Sequence, residues 1–321
     1  MRLPQLVLSV AAILTLPCSA VKAQMIFWTD PAGPSGSHVI RTTGPGPGLQ
    51  TLVTGLQDPR GMAVDAQNGK MYWTEPGLGS ISRANLDGTG LEAVVATSSA
   101  GGGIALDVAA GKIYWTDGDL GNGKIRRANL NGSAAEDLVT SGSFHPVGIA
   151  VDLVNQRVYW TDLEGNLDGF GKIQRSDLDG TNVETILTGI DEANGLALDR
   201  VAGKIYWPDL TTNRIQRANL DGSGVEDVIV GVNDPTTVAL DLVGGKIYWT
   251  DSMGGPVAAI TNRIERANLD GSGREVVISG VGLPWGIAVL PVPEPSTVLL
   301  VGFGFVTTLS LSRKKNLARS K

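Results

Sequence analysis

The heptapeptide GKIYWTD occupies residues 111–117, and close copies of its last four residues recur along the chain. These copies begin at residues 27, 72, 114, 159, 206 and 248. Successive copies are 45, 42, 45, 47 and 42 residues apart, a period typical of a four-stranded propeller blade rather than of a helical repeat. The repeat therefore predicts an all-β chain built from six similar units.

Each unit contains four short runs with β-strand character. In the third unit they cover residues 102–107, 112–117, 123–132 and 135–140. The connection between the third and fourth runs is nearly fixed, as in NLDGSG, and its Asp-Gly or Asn-Gly pair supplies the positive φ angles of a tight hairpin. The connections before the first run and after the second vary. Each unit is therefore expected to form one antiparallel sheet, with fixed turns on one rim and variable connections on the other.

The order of the runs predicts how the units close into a ring. Small-residue runs like GIALD begin at residues 61, 103, 148, 195, 237 and 286, so they equal the aromatic runs in number. The repeat region nevertheless begins on an aromatic run at Met25 and ends on a small-residue run at Leu290. If the last run becomes the inner strand of the first blade, no sheet edge stays open. We therefore expect a single closed six-bladed β-propeller over residues 24–290.

The aromatic motif is expected to bind the blades together. Blades packed around an axis bury both faces of each sheet, so Ile113 and Trp115 can point to one neighbour while Tyr114 points to the other. Burial of one indole contributes about 4–6 kcal/mol before opposing terms. The motif carboxylate and an arginine on the next strand recur with the same period, and we interpret both as buried hydrogen-bonding partners within the scaffold. The arginines are Arg41, Arg83, Arg127, Arg175, Arg217 and Arg266.

The YWTD units, each preceded by G-I/L-A-V/L-D and followed by R-A-N-L-D-G, resemble the class B repeats of the low-density-lipoprotein receptor family. The resemblance covers residues 25–290. It implies a six-bladed β-propeller that serves as a protein-binding or ligand-release module without enzymatic activity. The cysteine-rich modules that flank the animal repeats are missing from this sequence, so the fold is expected to transfer better than the partner.

The N-terminal segment has the features of a secretory signal. Residues 1–23 combine Arg2 with a long apolar run, which predicts cleavage after Ala23; a buried N-terminal helix is the alternative. The single cysteine, Cys18, lies inside this segment. The exported chain is therefore expected to contain no disulfide, thiol nucleophile or cysteine metal site.

The C-terminal segment, residues 291–321, contains Pro293-Glu294-Pro295, an apolar run and a basic cluster that begins at Arg313. This order resembles the PEP-CTERM sorting signal of Gram-negative bacteria, which implies processing by an exosortase during export. An uncleaved C-terminal membrane anchor is the alternative. In both cases the repeat region is expected outside the inner membrane, in the periplasm, at the cell surface or in the extracellular matrix.

Charge narrows the class of partner. The chain has a formal net charge of −6, and the two predicted terminal segments contain seven basic residues and a single acidic residue, Glu294. The repeat region between them is therefore more acidic than the whole chain. This balance argues against nucleic acid and anionic lipid headgroups, which attract basic surfaces.

A binding site is expected on the variable rim, because recognition residues concentrate on variable loops. Outside the motif and the C-terminal segment, the remaining Trp and Phe residues are Trp285, Phe144 and Phe170, all in variable connections. The six positions just before the inner strands should surround the mouth of the axial channel; they are Arg60, Gly102, Val147, Asn194, Thr236 and Trp285. The predicted binding residues are Arg60, Phe144, His145, Phe170, Glu192, Asn194, Asp234 and Trp285.

The leading hypothesis is an exported, surface-associated module that binds a protein or an extracellular polysaccharide at this rim. The alternative is that these residues are solvated loop positions without a role in binding. No cofactor is expected, although Asp162, Glu164, Asn166 and Asp168 alternate as in some Ca²⁺ loops without matching the EF-hand pattern.

Two other classes remain open. One is a metal-dependent lyase or lactonase that would use His145, Glu192, Asn194 and Asp234 near the mouth. The sequence offers it no G-x-S-x-G elbow and no phosphate-binding lysine loop. The other is a structural matrix component whose rim contacts its own copies.

Overall fold

Six four-stranded antiparallel sheets form the described part of the chain, as the repeat predicts. The structure is a computed structural model that describes residues 24–31, 36–42, 48–97, 102–118, 121–140, 142, 145–163, 171–190, 192–252 and 262–291. Phe144, Phe170 and the motif Pro293-Glu294-Pro295 lie outside the described residues. No helix in these ranges is long and apolar enough to cross a membrane.

The first three blades, each from its inner to its outer strand, have the following bounds. The first contains β24 (Ile287–Pro291), β1 (Gln24–Asp30), β2 (His38–Thr42) and β3 (Gln50–Thr54). The second contains β4 (Met62–Asp65), β5 (Lys70–Glu75), β6 (Ser80–Asn85) and β7 (Glu92–Ala96). The third contains β8 (Ile104–Asp107), β9 (Lys112–Asp117), β10 (Lys124–Asn129) and β11 (Glu136–Val139).

The other three blades follow in chain order. The fourth contains β12 (Pro146–Asp152), β13 (Arg157–Asp162), β14 (Gly171–Asp177) and β15 (Glu184–Ile190). The fifth contains β16 (Ala197–Asp199), β17 (Lys204–Asp209), β18 (Arg214–Asn219) and β19 (Glu226–Val230). The sixth contains β20 (Pro235–Asp241), β21 (Lys246–Asp251), β22 (Arg263–Asn268) and β23 (Glu275–Ser279).

The ring closes by pairing of the two ends of the repeat region. Strand β24 runs antiparallel to β1, with Gln24 opposite Pro291 and Trp28 opposite Ile287. The six inner strands contact one another in a complete cycle, from β4 through β8, β12, β16 and β20 to β24 and back to β4. The predicted closed six-bladed propeller is confirmed.

Aromatic side chains from neighbouring blades share each interface. Trp115 packs in one buried cluster with Tyr72 of the preceding blade, whereas Tyr114 packs with Trp160 of the following blade. All six motif indoles are 0% exposed. The alternation predicted for Ile113, Tyr114 and Trp115 is therefore confirmed, and each blade contributes to two interfaces.

The sequence suggests that the periodic arginines are buried beside the motif carboxylates, but the structure shows other partners for them. Five of them lie opposite the motif tyrosine in the strand register, as Arg127 lies opposite Tyr114, whereas Arg41 lies opposite Phe27. Arg127 pairs with Glu136 on the outer strand of its blade and donates to the carbonyl of Leu178 in the next blade at 2.8 Å. Its side chain is 21% exposed. The same contact with a carbonyl of the next blade is made by Arg41, Arg83, Arg175 and Arg217. These half-buried arginines link neighbouring blades, and the buried motif carboxylates have other partners.

Candidate functional site

The channel mouth is built by the threonine of the aromatic motif. The Thr29 hydroxyl donates to the carbonyl of Arg60 at 2.5 Å, and the Thr116 hydroxyl donates to the carbonyl of Val147 at 3.0 Å. Each acceptor belongs to the next blade, at one of the six positions predicted to surround the channel mouth. Thr116 also accepts from the amide of Gly103 in its own blade at 2.8 Å. One hydroxyl thus joins two blades, and the mouth backbone is fixed while its side chains differ.

The motif carboxylates hold the connections that lead to the mouth. Glu75 accepts a hydrogen bond from the amide of Gln57 at 2.7 Å, and Asp162 accepts one from the amide of His145 at 2.6 Å. Asp30 accepts from two successive amides, those of Gly282 and Leu283. These carboxylates are nearly or fully buried. They therefore position the loops around the mouth.

Trp285 and Arg60 meet at the mouth although they are far apart in the sequence. The guanidinium carbon of Arg60 lies 5.2 Å from the centre of the Trp285 ring. The same guanidinium pairs with Asp58 at 2.8 Å. Both Arg60 and Trp285 remain half-buried. The stack spans the junction of the first and second blades and presents an aromatic edge beside a cation at the rim.

Three acidic residues occupy equivalent positions around the mouth, two residues before the position that Arg60 defines. Asp58, Glu192 and Asp234 have φ angles of 55°, 45° and 47°, which are uncommon for residues other than glycine. Glu192 is exposed, whereas Asp58 and Asp234 are half-buried. Only Asp58 pairs with Arg60. The described part of the mouth therefore has more acidic than basic side chains.

The axial channel itself is narrow. Its cavity of about 90 Å³ is lined by Asn194 and Trp285 together with inner-strand residues, whereas small-molecule pockets usually measure about 300–1,000 Å³. Glycines allow the close approach of the inner strands: a Cβ on Gly286 would lie 2.3 Å from the carbonyl oxygen of Arg60. The arrangement favours contact with a partner across the mouth over engulfment of a small substrate.

The structure brings together part of the predicted set. Asn194 and Trp285 line the channel opening, and Arg60 stacks on Trp285. His145, Glu192 and Asp234 lie on the connections around the opening. In the described ranges, no three or more His, Cys, Asp or Glu side chains form a group suited to a metal ion. His145, Glu192 and Asp234, the residues of the enzyme hypothesis, therefore do not form such a group. The calcium hypothesis stays untested because Glu164, Asn166 and Asp168 lie outside the described residues.

Sequence reasoning missed a buried charge network in the sixth blade. Arg263 pairs with Asp251 at 3.0 Å and with Glu265 at 2.6 Å, and Arg274 pairs with Glu265 at 2.6 Å. Burial and a hydrogen bond with Glu265 raise the pKa of Asp251 to about 7, against the opposing effect of Arg263. Burial acts to raise the pKa of Glu265, but hydrogen bonds from Arg274 and Asp251 outweigh it and lower that pKa. No repeated motif predicts this network, because Glu265 has no acidic counterpart in the other blades.

Comparison with known proteins agrees with this architecture. Residues 111–153 match the family model of the low-density lipoprotein receptor repeat class B, and residues 291–314 match the PEP-CTERM protein-sorting motif. Nidogen-2 from Mus musculus is 42% identical over 67 residues, which are 21% of this chain and 5% of nidogen-2. The match thus spans a small part of that protein.

Solved structures share the fold over most of the chain. A chain from the crystal structure of a nidogen/laminin complex superposes with a TM-score of 0.69 at 25% identity, covering 83% of this chain and 98% of that one. TolB from Acinetobacter baumannii superposes with a TM-score of 0.66 at 13% identity, covering 84% of this chain and 67% of that one; this likeness shows the fold alone. The described part of the chain is thus a six-bladed β-propeller that contains a low-density lipoprotein receptor class B (YWTD) repeat at residues 111–153, and it is followed by a PEP-CTERM sorting motif at residues 291–314 that indicates export.

Proposed function

We propose that this protein is an exported, surface-associated binding module that takes a segment of a protein partner at its channel mouth. The observation that carries the proposal is the half-buried indole of Trp285 stacked on Arg60 at 5.2 Å. An aromatic residue beside an arginine is a common anchor of protein interfaces. The rest of the mouth, Asn194, Glu192 and Asp234, offers polar groups around that anchor.

Three features support a macromolecular partner over a small substrate. The channel is too narrow to enclose a drug-sized molecule, and the mouth backbone is rigidly held by the motif hydroxyls and carboxylates. YWTD propellers are mostly non-enzymatic binding modules, and a chain from a nidogen/laminin complex shares this fold. The acidic excess at the mouth favours a partner segment that presents basic or amide side chains.

The partners we propose are therefore an extracellular protein for the mouth and an exosortase for the sorting motif. We place the exported protein at the cell surface or in the matrix of a Gram-negative bacterium. An extracellular polysaccharide is the alternative ligand, because a tryptophan on a polar rim also suits sugar rings.

The test is a binding isotherm between the full exported chain and the envelope and matrix fractions of the producing organism. Trp285→Ala is expected to weaken saturable binding at least about 30-fold, as loss of an interface anchor does. Leu91→Ala is the control, because Leu91 is 51% exposed on the second blade away from the mouth. Treatment of the fractions with protease or with glycosidases separates the two ligand classes. Saturable binding that Trp285→Ala and Arg60→Ala both leave unchanged would refute the proposal.

A further inference from the structure

The rim opposite the mouth carries an exposed apolar arc. In the fourth, fifth and sixth blades, the turn between the inner strand and the second strand contains Val154, Val201 and the pair Leu242-Val243. The relative exposures of Val154, Val201 and Val243 are 78%, 94% and 68%, and that of Leu242 is 38%. These three blades are neighbours in the ring. We call the four side chains the inner-turn arc.

The turns do not need these aliphatic residues for their own geometry. A buried aspartate at the end of each inner strand fixes the turn, as Asp199 does by accepting from the amide of Val201 at 3.0 Å. In the second blade the position equivalent to Val201 is Gln67, which also donates its amide to the preceding Asp65. The turn therefore tolerates a polar side chain at this position, so the geometry of the turn does not account for the exposed valines. Exposed aliphatic side chains on the inner turns of three neighbouring blades suggest a surface that meets an apolar partner.

Both ends of the propeller lie on this same rim. The first blade has no inner turn; in its place Gln24 pairs with Pro291. The Gln24 amide donates to the carboxylate of Asp241, next to Leu242, and the Tyr248 hydroxyl donates to Gln24. The predicted secretory signal and the sorting segment therefore both join the propeller beside the sixth-blade end of the inner-turn arc.

The sequence limits how far the arc can lie from a membrane that holds the sorting segment. The apolar run of that segment starts by Val298, so the linker from Pro291 spans at most about 25 Å when fully extended. A short tether keeps a weak contact surface at high effective concentration. Four aliphatic side chains are too few for a stable interface between free copies, which buries about 1,200 Å² or more, but they suffice for a contact that the tether already brings close.

We propose that the inner-turn arc rests against the lipid bilayer while the sorting segment is embedded in it, so that the channel mouth faces away from the membrane. The proposal rests on the sorting segment entering the membrane during export. The outer turns of the same rim carry exposed acidic residues, Asp179, Asp221 and Asp270, whose pKa values are lowered by hydrogen bonds from Thr181, Ser223 and Ser272. The contact is therefore confined to the inner turns and does not depend on anionic headgroups.

The experiment places fluorescent labels on the two rims of the full chain. In a Cys18→Ser background, a single cysteine replaces either Ala202, beside Val201, or Gln57, near the mouth; both positions are exposed. The labelled chains are inserted into phosphatidylcholine vesicles that contain brominated lipids, which quench only nearby fluorophores. Quenching at position 202 is expected to exceed that at position 57 at least threefold, and this ratio should not change with salt.

Two triple variants test whether the arc causes the difference. Val154→Ser, Val201→Ser and Val243→Ser together are expected to lower quenching at position 202 toward the level at position 57. The matched control replaces three valines that are 40%, 47% and 62% exposed away from the inner turns, Val183, Val225 and Val230, and it should leave the quenching unchanged. Circular dichroism checks that both variants retain the fold.

Each other outcome contradicts the proposal. Equal quenching on both rims, no effect of the arc substitutions, or failure of the full chain to float with vesicles would overturn it. A label at position 202 that becomes shielded without lipid, in a concentration-dependent manner, would assign the arc to contacts between copies. Partner binding that depends on Trp285 is measured separately. Failure of the membrane-contact proposal therefore does not decide the binding proposal, and the reverse also holds.

Discussion

The indole of Trp28, in the first blade, and the phenol ring of Tyr248, in the sixth, belong to one buried cluster at the interface where the ring closes. The same pairing recurs at four other interfaces, for example between Tyr206 and Trp249, and Phe27 takes the place of the tyrosine beside Trp73 at the remaining one. The closing interface therefore uses the same aromatic contact as an interface between blades that follow one another in the chain. Six comparable interfaces therefore hold the propeller together, and the interface that closes the ring resembles the other five.

Removal of the last strand should open the ring. A chain that ends at Gly280 lacks β24, so β1 loses its partner and Trp28 loses its contact with Ile287. We expect a lower and broader thermal unfolding transition, measured by circular dichroism or calorimetry. A chain that ends at Pro291 retains the strand and is the control. Equal melting temperatures and cooperativity for the two chains would contradict the closure.

The fifth blade contains a natural defect that substitution should repair. Its motif reads YWPD, so Pro208 replaces the threonine whose amide and hydroxyl join the inner strands in the other blades. Its inner strand β16 has three residues, whereas β8 has four and β12 has seven. Pro208→Thr is expected to raise the free energy of unfolding by about 1–2 kcal/mol through the restored hydrogen bonds.

Chemical denaturation measures the effect of the Pro208 substitution. Pro208→Val is the control, because it restores the amide but not the hydroxyl and should recover only part of the gain. A less stable Pro208→Thr protein would show that the proline has a role of its own in this blade.

The buried carboxyl pair in the sixth blade should make stability depend on pH. Because the pKa of Asp251 is raised to about 7 from an ordinary value of 3.8, the folded state binds more protons than the unfolded state between these values. The free energy of unfolding should therefore fall as pH rises from about 4 to 7 through this group. Asp251→Asn is expected to remove that slope, measured by urea denaturation at pH 5 and pH 7. An unchanged slope would refute the assignment to Asp251.

The periodic arginines should matter more than ordinary surface ion pairs. Arg127 joins Glu136 of its own blade to the carbonyl of Leu178 in the next, so Arg127→Ala is expected to lower the free energy of unfolding by about 1–3 kcal/mol. Lys124 also pairs with an outer-strand carboxylate, Asp137, but makes an exposed contact. Lys124→Ala is the control and should cost less than about 1 kcal/mol. Equal losses for the two variants would show that the contact between blades adds nothing.

Much of the fold could be predicted because its main signal is repeated. The period of the aromatic motif sets one sheet per unit, and the alternation of Ile113, Tyr114 and Trp115 sets which neighbour each side chain meets. The partners of the periodic arginines were harder to predict, because the Leu178 carbonyl that Arg127 contacts lies in the next blade. The candidate site was predicted only as a set of positions on one rim, since non-repeated side chains carry no pattern.

The sequence by itself determined the number of blades, their order and the strand that closes the ring. These follow from the spacing of the aromatic motif, which matches one four-stranded sheet, and from the fact that the repeat region begins on an aromatic strand and ends on an inner strand. Only the tertiary structure decided that Arg60 stacks on Trp285, that Asp251 and Glu265 share a buried network, and that both ends of the propeller lie beside the exposed valines. These contacts depend on how separate blades approach one another in space. Local patterns fix the blades, but the distances between side chains of different blades exist only once the ring has closed.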